Sequence, residues 1–242
     1  MNKTWTITQR ELGSYITSPL FWILAAAFLA FTGFIFALYV TQPQGAQATM
    51  GPLLSLIGTI LLFVAPLLSM RLLAEEQRSG TLELLMTSPL RDWQVVWGKW
   101  LAALIVLAIM VALTAFHVGI MVQLATKGIA YGPLLASYLG VLLLCAAMLA
   151  IGTLTSSLTE NQVVAAFLGI MLVMILWFVP LMAEATGSEG AVAKIFTYLG
   201  LSEHFGNFGR GVIDSRDVVY FLTLTVGSLY LATRVLETRR WR

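Results

Sequence analysis

Residues 12 to 70 contain no Asp, Glu, Lys or Arg, and further charge-free runs cover 100 to 126, 128 to 159, 161 to 183 and 218 to 233. A helix needs roughly 20 mainly apolar residues to cross a bilayer. The first run holds two such segments, divided by Gln42-Pro43-Gln44-Gly45 and Gly51-Pro52, which read as a turn. Each later run holds one. The spacing predicts an all-α membrane protein, a single domain over 1–242, with six spans at about 20–40, 53–70, 100–124, 133–155, 162–183 and 217–236. Barrel strands do not fit, because they are about 10 residues of alternating character. A soluble fold does not fit either: 11% of residues are charged, against about 25% in an average soluble chain. The last span is the shortest run, so Arg234 must snorkel toward the interface.

Lys and Arg set the expected orientation. An even number of spans puts both termini on one side, together with Lys3, Arg10, Arg71, Arg78, Arg91, Lys99, Arg234, Arg239, Arg240 and Arg242. Only Lys127, Lys194, Arg210 and Arg216 fall opposite. The positive-inside rule then predicts cytoplasmic termini in the plasma (inner) membrane. These cations mark topology rather than a nucleic-acid stripe. The first apolar run is of full span length and starts near residue 20, so it reads as a span rather than a cleaved leader. Cys145 lies inside a predicted span and reads as packing.

Several chemistries lack their residues. The nearest approach to a phosphate loop, Gly98-Lys99-Trp100, lacks the hydroxyl residue and the earlier glycine, so no ATP hydrolysis is expected of this chain. A proton relay needs intramembrane ionisable groups. Only His117 lies near a span centre, and it reads as hydrogen-bonded to a neighbouring helix or to water. His117, His204 and Cys145 fall in separate segments, so no metal cluster is expected. No G-x-S-x-G occurs to support an intramembrane serine hydrolase, in which His117 would have to serve as base.

Three segments carry more pattern than a bundle requires. In residues 4 to 19, Trp5, Leu12, Tyr15 and Ile16 fall near one helical face, with Arg10 and Glu11 elsewhere and Ser18-Pro19 at the end. That pattern predicts an amphipathic interfacial helix. The loop from 71 to 99 balances four basic and four acidic residues, which suits docking to a protein. There Gly80 should end the extension of span two. Residues 81–88 should form a short helix with Leu82, Leu85 and Met86 on one face, Pro89 should stop it, and Asp92 should cap the next helix. Between spans five and six, Leu201, Phe205, Phe208 and Val212 form an apolar stripe, and Gly206, Gly209 and Gly211 allow bending or close packing. This predicts short helices dipping against the outer leaflet. His204 reads as a hydrogen-bonded packing residue rather than a ligand.

With these residues in view, the chain resembles permease subunits of ABC-2 type ABC transporters, particularly the small six-span branch of gliding-motility and nitrous-oxide-reductase-maturation permeases. The resemblance covers the whole chain. It rests on Arg10-Glu11-Leu12 through Ser18-Pro19, on Glu75-Glu76 through Arg78-Ser79-Gly80-Thr81-Leu82-Glu83-Leu84-Leu85 with Thr87-Ser88-Pro89, and on His204-Phe205 with Arg210-Gly211-Val212-Ile213-Asp214 and Arg216-Asp217.

The resemblance implies an elbow helix carrying Trp5, Arg10, Glu11 and Tyr15. It implies a coupling helix over 79–89 that enters a cleft of a separate ATPase, with Glu75, Glu76, Arg78, Glu83 and Arg91 as polar contacts and Gly80, Thr81, Leu82, Leu85, Met86 and Pro89 shaping it. His204, Phe205, Phe208, Arg210 and Asp214 would form an extracytoplasmic gate. The implied assembly is two permeases, identical or homologous, with two ATPases, and an extracytoplasmic accessory protein is allowed. ATP and Mg would be bound by the ATPase, leaving this chain without cofactor, metal or catalytic residue. The expected function is export of a substrate. The alternative is a mechanotransmission or scaffold subunit that passes ATPase motion outward without cargo.

Overall fold

A computed structural model describes residues 3–41, 51–81, 90–124, 130–185 and 190–239, and among these it is helical without strands. The helices are α1 (Lys3–Thr17), α2 (Pro19–Thr41), α3 (Gly51–Ser69), α4 (Arg71–Ser79), α5 (Asp92–Leu113), α6 (Ala115–Leu124), α7 (Tyr131–Leu158), α8 (Gln162–Ala185), α9 (Ala191–Leu199), α10 (Leu201–Gly209) and α11 (Ser215–Arg239). Six continuous stretches among the described residues are long and apolar enough to cross a membrane: α2, α3 with α4, α5 with α6, α7, α8 and α11.

The expected spans are therefore present, with different ends. The second runs on to Ser79 and the third begins at Asp92. Charged residues join these ends because helical hydrogen bonding satisfies the backbone there as well as in lipid. Gly80 ends α4 in the left-handed region, φ 70°, its amide reaching the Gln77 carbonyl. Asp92 does not cap α5. It lies in the first turn, and the Gln94 side chain closes the start by accepting from the Arg91 amide at 3.1 Å. Residues 82–89, which include Leu82, Glu83, Leu85, Met86 and Pro89, lie outside the described residues.

Helix α7 is the central element, packed against α3, α4, α5, α8, α10 and α11. Its small residues explain this. Gly140, Ala147, Ala150, Gly152 and Ser156 are buried along it and let neighbouring backbones approach, as helix association in lipid requires. A Cβ on Gly152 would overlap the Ser69 hydroxyl, and one on Gly169 would lie 3.1 Å from Pro66 Cβ. The proline-containing turn of α3 thus sits in a glycine notch of α7 and α8. Helix α2 is peripheral and exposes Trp22, Ile23, Phe31, Phe34 and Leu38, apolar side chains suited to lipid.

The α3–α4 span breaks at Met70, where one side chain repairs the backbone. Ser156 Oγ accepts from the amides of Leu73 and Ala74, both at 3.0 Å, and donates to the Met70 carbonyl at 2.8 Å. These are the unpaired groups of a helix end, and here they are buried. Ser156→Ala should cost about 1–3 kcal/mol, the penalty for stranding buried polar groups. The midpoint of thermal unfolding in detergent checks this, and a change within error would contradict the role given to Ser156.

Candidate functional site

The two ends of the bundle carry different chemistry. At one end α1 lies across the start of α5. Gly98 makes the crossing close: a Cβ there would meet Ile7 at 2.9 Å and the Thr4 carbonyl at 3.0 Å. Thr8 Oγ1 donates to the Gly98 carbonyl at 3.0 Å. One turn-pair further on, the buried Tyr15 hydroxyl donates to the Leu68 carbonyl at 2.7 Å, and the Arg71 guanidinium stacks on its ring at 4.4 Å. Burial, partly opposed by Arg71, pushes the Tyr15 phenol up. Arg71 also donates to Ser18 Oγ at 2.7 Å.

This changes the reading of α1. Its buried face is centred on Thr8 and Tyr15, with Glu11 and Leu12 half-buried. Trp5 and Ile16 lie to one side and stay exposed, where they can enter a membrane interface. Arg10 is exposed as well.

Beside that crossing, Lys99 is only 3% exposed. Its Nζ lies 3.1 Å from Glu11 Oε2 and 2.9 Å from Glu76 Oε1. One ammonium thus joins α1, α4 and the start of α5. Glu76 is turned inward onto Lys99, whereas Glu75, Arg78, Gly80, Thr81 and Arg91 are exposed. Gln77 Nε2 donates to the Ser157 carbonyl at 3.0 Å, fastening α4 to the end of α7. By sequence Lys99 counts as one of four basic residues of the 71–99 loop, yet it is buried. Its flanking by Trp97 and Trp100 next to a long apolar run is the only local signal that it is buried.

At the other end α10 inserts into the bundle. Leu201, Phe205 and Phe208 are buried while Val212 is exposed. The apolar stripe therefore faces helices rather than the outer leaflet, and the last residue of the pattern does not take part. Glycine notches receive it: a Cβ on Gly58 would meet the Phe205 ring at 2.5 Å, and one on Gly140 would overlap Phe208. Ser137 Oγ donates to the Phe208 carbonyl at 2.8 Å. Of the three glycines singled out from the sequence, Gly211 is needed for its left-handed φ of 81°, which turns the chain toward α11. Gly206 has open space around it.

Above α10 lies a cavity of about 770 Å³ between the ends of α8, α9, α10 and α11. His204 and Asp217 form its buried floor. His204 Nδ1 is 2.6 Å from Asp217 Oδ1, and Nε2 donates to the Tyr198 carbonyl at 2.9 Å. Asn207 donates to Asp217 Oδ2 at 2.9 Å. Tyr220 stacks on the His204 ring at 3.9 Å and donates to the Leu199 carbonyl at 2.7 Å. His204 is thus held by polar contacts from α9 and α11.

Asp214 accepts from the Arg216 amide at 2.9 Å and so caps α11, while Arg210 is exposed. Asp217, Asn207 and Tyr220 are the members of this network that spacing did not single out. His117 bonds within its own span, Nδ1 lying 3.2 Å from the Thr114 carbonyl, and packs on Phe36 of α2. No cluster of three or more metal-ligating side chains occurs among the described residues.

Two comparisons bear on this arrangement. A family model described as "ABC-2 family transporter protein" matches residues 5–197. The protein described as "Probable ABC transporter permease protein NosY", from Stutzerimonas stutzeri, is 27% identical over 141 residues, a match covering 55% of this chain and 50% of that protein. The chain thus spans about half the length of the curated relative it matches.

Proposed function

The chain belongs to the ABC-2 family of transporter proteins, and on that premise we propose that it is the permease subunit of an ABC transporter, coupling ATP hydrolysis in a separate ATPase to export. The observation that carries this reading is the Lys99 junction. It joins Glu11 of α1, Glu76 of α4 and the start of α5 within 3.1 Å, directly behind exposed Glu75, Arg78, Gly80 and Thr81. A push on that exposed tip is shared by the elbow and by two spans. The segment over 79–89 serves as the coupling helix, with Leu82, Leu85 and Met86 seated in an ATPase cleft and Glu83 and Arg91 at its edges.

In this mechanism the ATPases hold ATP and Mg and perform the hydrolysis, and this chain contributes no catalytic residue. Closure of the ATPase pair changes the docking energy at 79–89, and only that difference can bias the permease between conformations. Two copies of the permease related by a two-fold axis match a symmetric ATPase pair. The end bearing α1, α4 and the C-terminal turn of α11 faces the cytoplasm of the inner membrane, in line with its excess of Lys and Arg. Phe205 and Phe208, wedged between α3 and α7 at the far end, act as the gate on the outward side.

Reconstitution with the ATPase tests this. Gly80→Pro removes a left-handed φ that proline cannot adopt, and Glu83→Arg reverses a docking charge. Each should lower permease-stimulated ATP hydrolysis about tenfold, the factor for roughly 1.4 kcal/mol of docking energy, while the isolated ATPase is unaffected. Unchanged stimulation would refute the coupling role. Normal stimulation sensitivity without any flux across the vesicle would replace export by force transmission.

A further inference from the structure

Among the described residues, the mouth of the cavity above α10 carries charged side chains that form no ion pair. Lys194 of α9, Glu203 of α10 and Arg216 of α11 line it and are exposed, and half-buried Asp214 lines it beside Arg216. Among the described residues none of these takes part in an ion pair within 4.0 Å, the pairs there being those of Lys99, His204 and Arg234. The floor is different, since His204 and Asp217 satisfy each other. Opposite charges therefore surround one bowl without meeting, which suits a ligand carrying both an anionic and a cationic centre.

The surroundings identify its source. The cavity lies where one span ends, at Ala183, and the next begins, at Ser215, so it opens at the level of a membrane boundary. Tyr198 lines it and is more than half accessible, as are Ile195, Val212 and Ile213, which lie near its lining residues in the chain. A cavity of about 770 Å³ is within the roughly 300–1,000 Å³ of small-ligand sites, and its lining is more apolar than polar, with the charged groups at its mouth.

We propose that this cavity binds the headgroup of a zwitterionic phospholipid, phosphatidylethanolamine, from the leaflet at that end of the bundle. Lys194 and Arg216 take the phosphate, Glu203 takes the ammonium, and the rim carries the upper acyl chains. The site does not depend on the coupling role.

The test uses the full chain in nanodiscs of phosphatidylglycerol with a minority of phosphatidylethanolamine, and native mass spectrometry of the lipids retained. Phosphatidylethanolamine should be enriched about threefold over its share of the disc, the preference expected of one added exposed ion pair. Glu203→Gln and Lys194→Gln should each return the ratio to that of the disc. Lys194→Arg should keep the enrichment, as should Glu237→Gln at the opposite end. Absence of enrichment, or enrichment that survives both charge-removing changes, overturns the proposal. Displacement by soluble glycerophosphoethanolamine at equal concentration overturns the lipid source.

Discussion

Lys99→Met is expected to destabilise the bundle by about 3–5 kcal/mol, the cost of removing one partner from a buried ion pair. The side chains of Lys99, Glu11 and Glu76 are 4%, 15% and 13% exposed, so water cannot replace the ammonium. Two carboxylates would be left facing each other across the junction of α1, α4 and α5. Thermal unfolding in detergent should show the loss directly. Adding Glu76→Gln to Lys99→Met should recover part of it, because one of the stranded charges is gone. A Lys99→Met variant within about 1 kcal/mol of the parent would place the junction among solvated surface pairs.

The same junction separates stability from transmission. The double variant Lys99→Met/Glu76→Gln should recover part of the stability but not the three-way link. If the exposed tip drives the spans through Lys99, this variant should insert and bind the ATPase yet show reduced stimulation of hydrolysis. Full stimulation in a folded double variant would mean that motion passes through the helix backbones alone.

Gly140→Val should be comparably damaging at the other end. A Cβ at Gly140 already overlaps Phe208, and a branched side chain there must push α10 out of the bundle. Overpacking costs typically 1–3 kcal/mol. Here the Ser137 hydrogen bond to the Phe208 carbonyl would be lost as well, giving an expected total of about 3–4 kcal/mol. Phe208→Ala costs stability alone by emptying its site, but combined with Gly140→Val it should cost less than the sum of the two. Additive effects would show that the two residues do not share the contact.

Much of the fold was legible because a bilayer imposes one strong local rule: the backbone must satisfy itself over roughly 20 apolar residues. That rule located the spans; the break at Gly80 follows from glycine as a helix breaker, and the stripe of Leu201, Phe205 and Phe208 from helical spacing, although it packs among helices rather than against the outer leaflet. The apolar run alone does not give the helix ends: span two continues through α4 to Ser79, the extension that Gly80 is expected to close. The amphipathic reading of α1 placed Trp5 and Tyr15 on one face, yet Tyr15 is buried and Trp5 exposed. The inward face of α1 is chosen by the hydroxyls of Thr8 and Tyr15, which find carbonyls on α5 and α3 that no pattern within α1 can reveal.

The sites show the same division. His204 reads as hydrogen-bonded, and it bonds to Asp217 and the Tyr198 carbonyl, but Asp217 reads as the boundary of a span until α10 and α11 are brought together. Glu76 looked like part of an exposed docking surface, and it points inward because Lys99 is there.

From its sequence alone this chain is a six-span helical membrane protein, because charge and hydropathy decide which segments can leave water, and that decision is local. Only the tertiary structure decided which charges meet. Lys99 and Glu11 are 88 residues apart in the chain, and whether they pair depends on the rotation and depth of helices whose apolar faces admit many arrangements. Glycine notches at Gly98 and Gly140 select one of them, by letting α1 and α10 approach more closely than any other residue would allow.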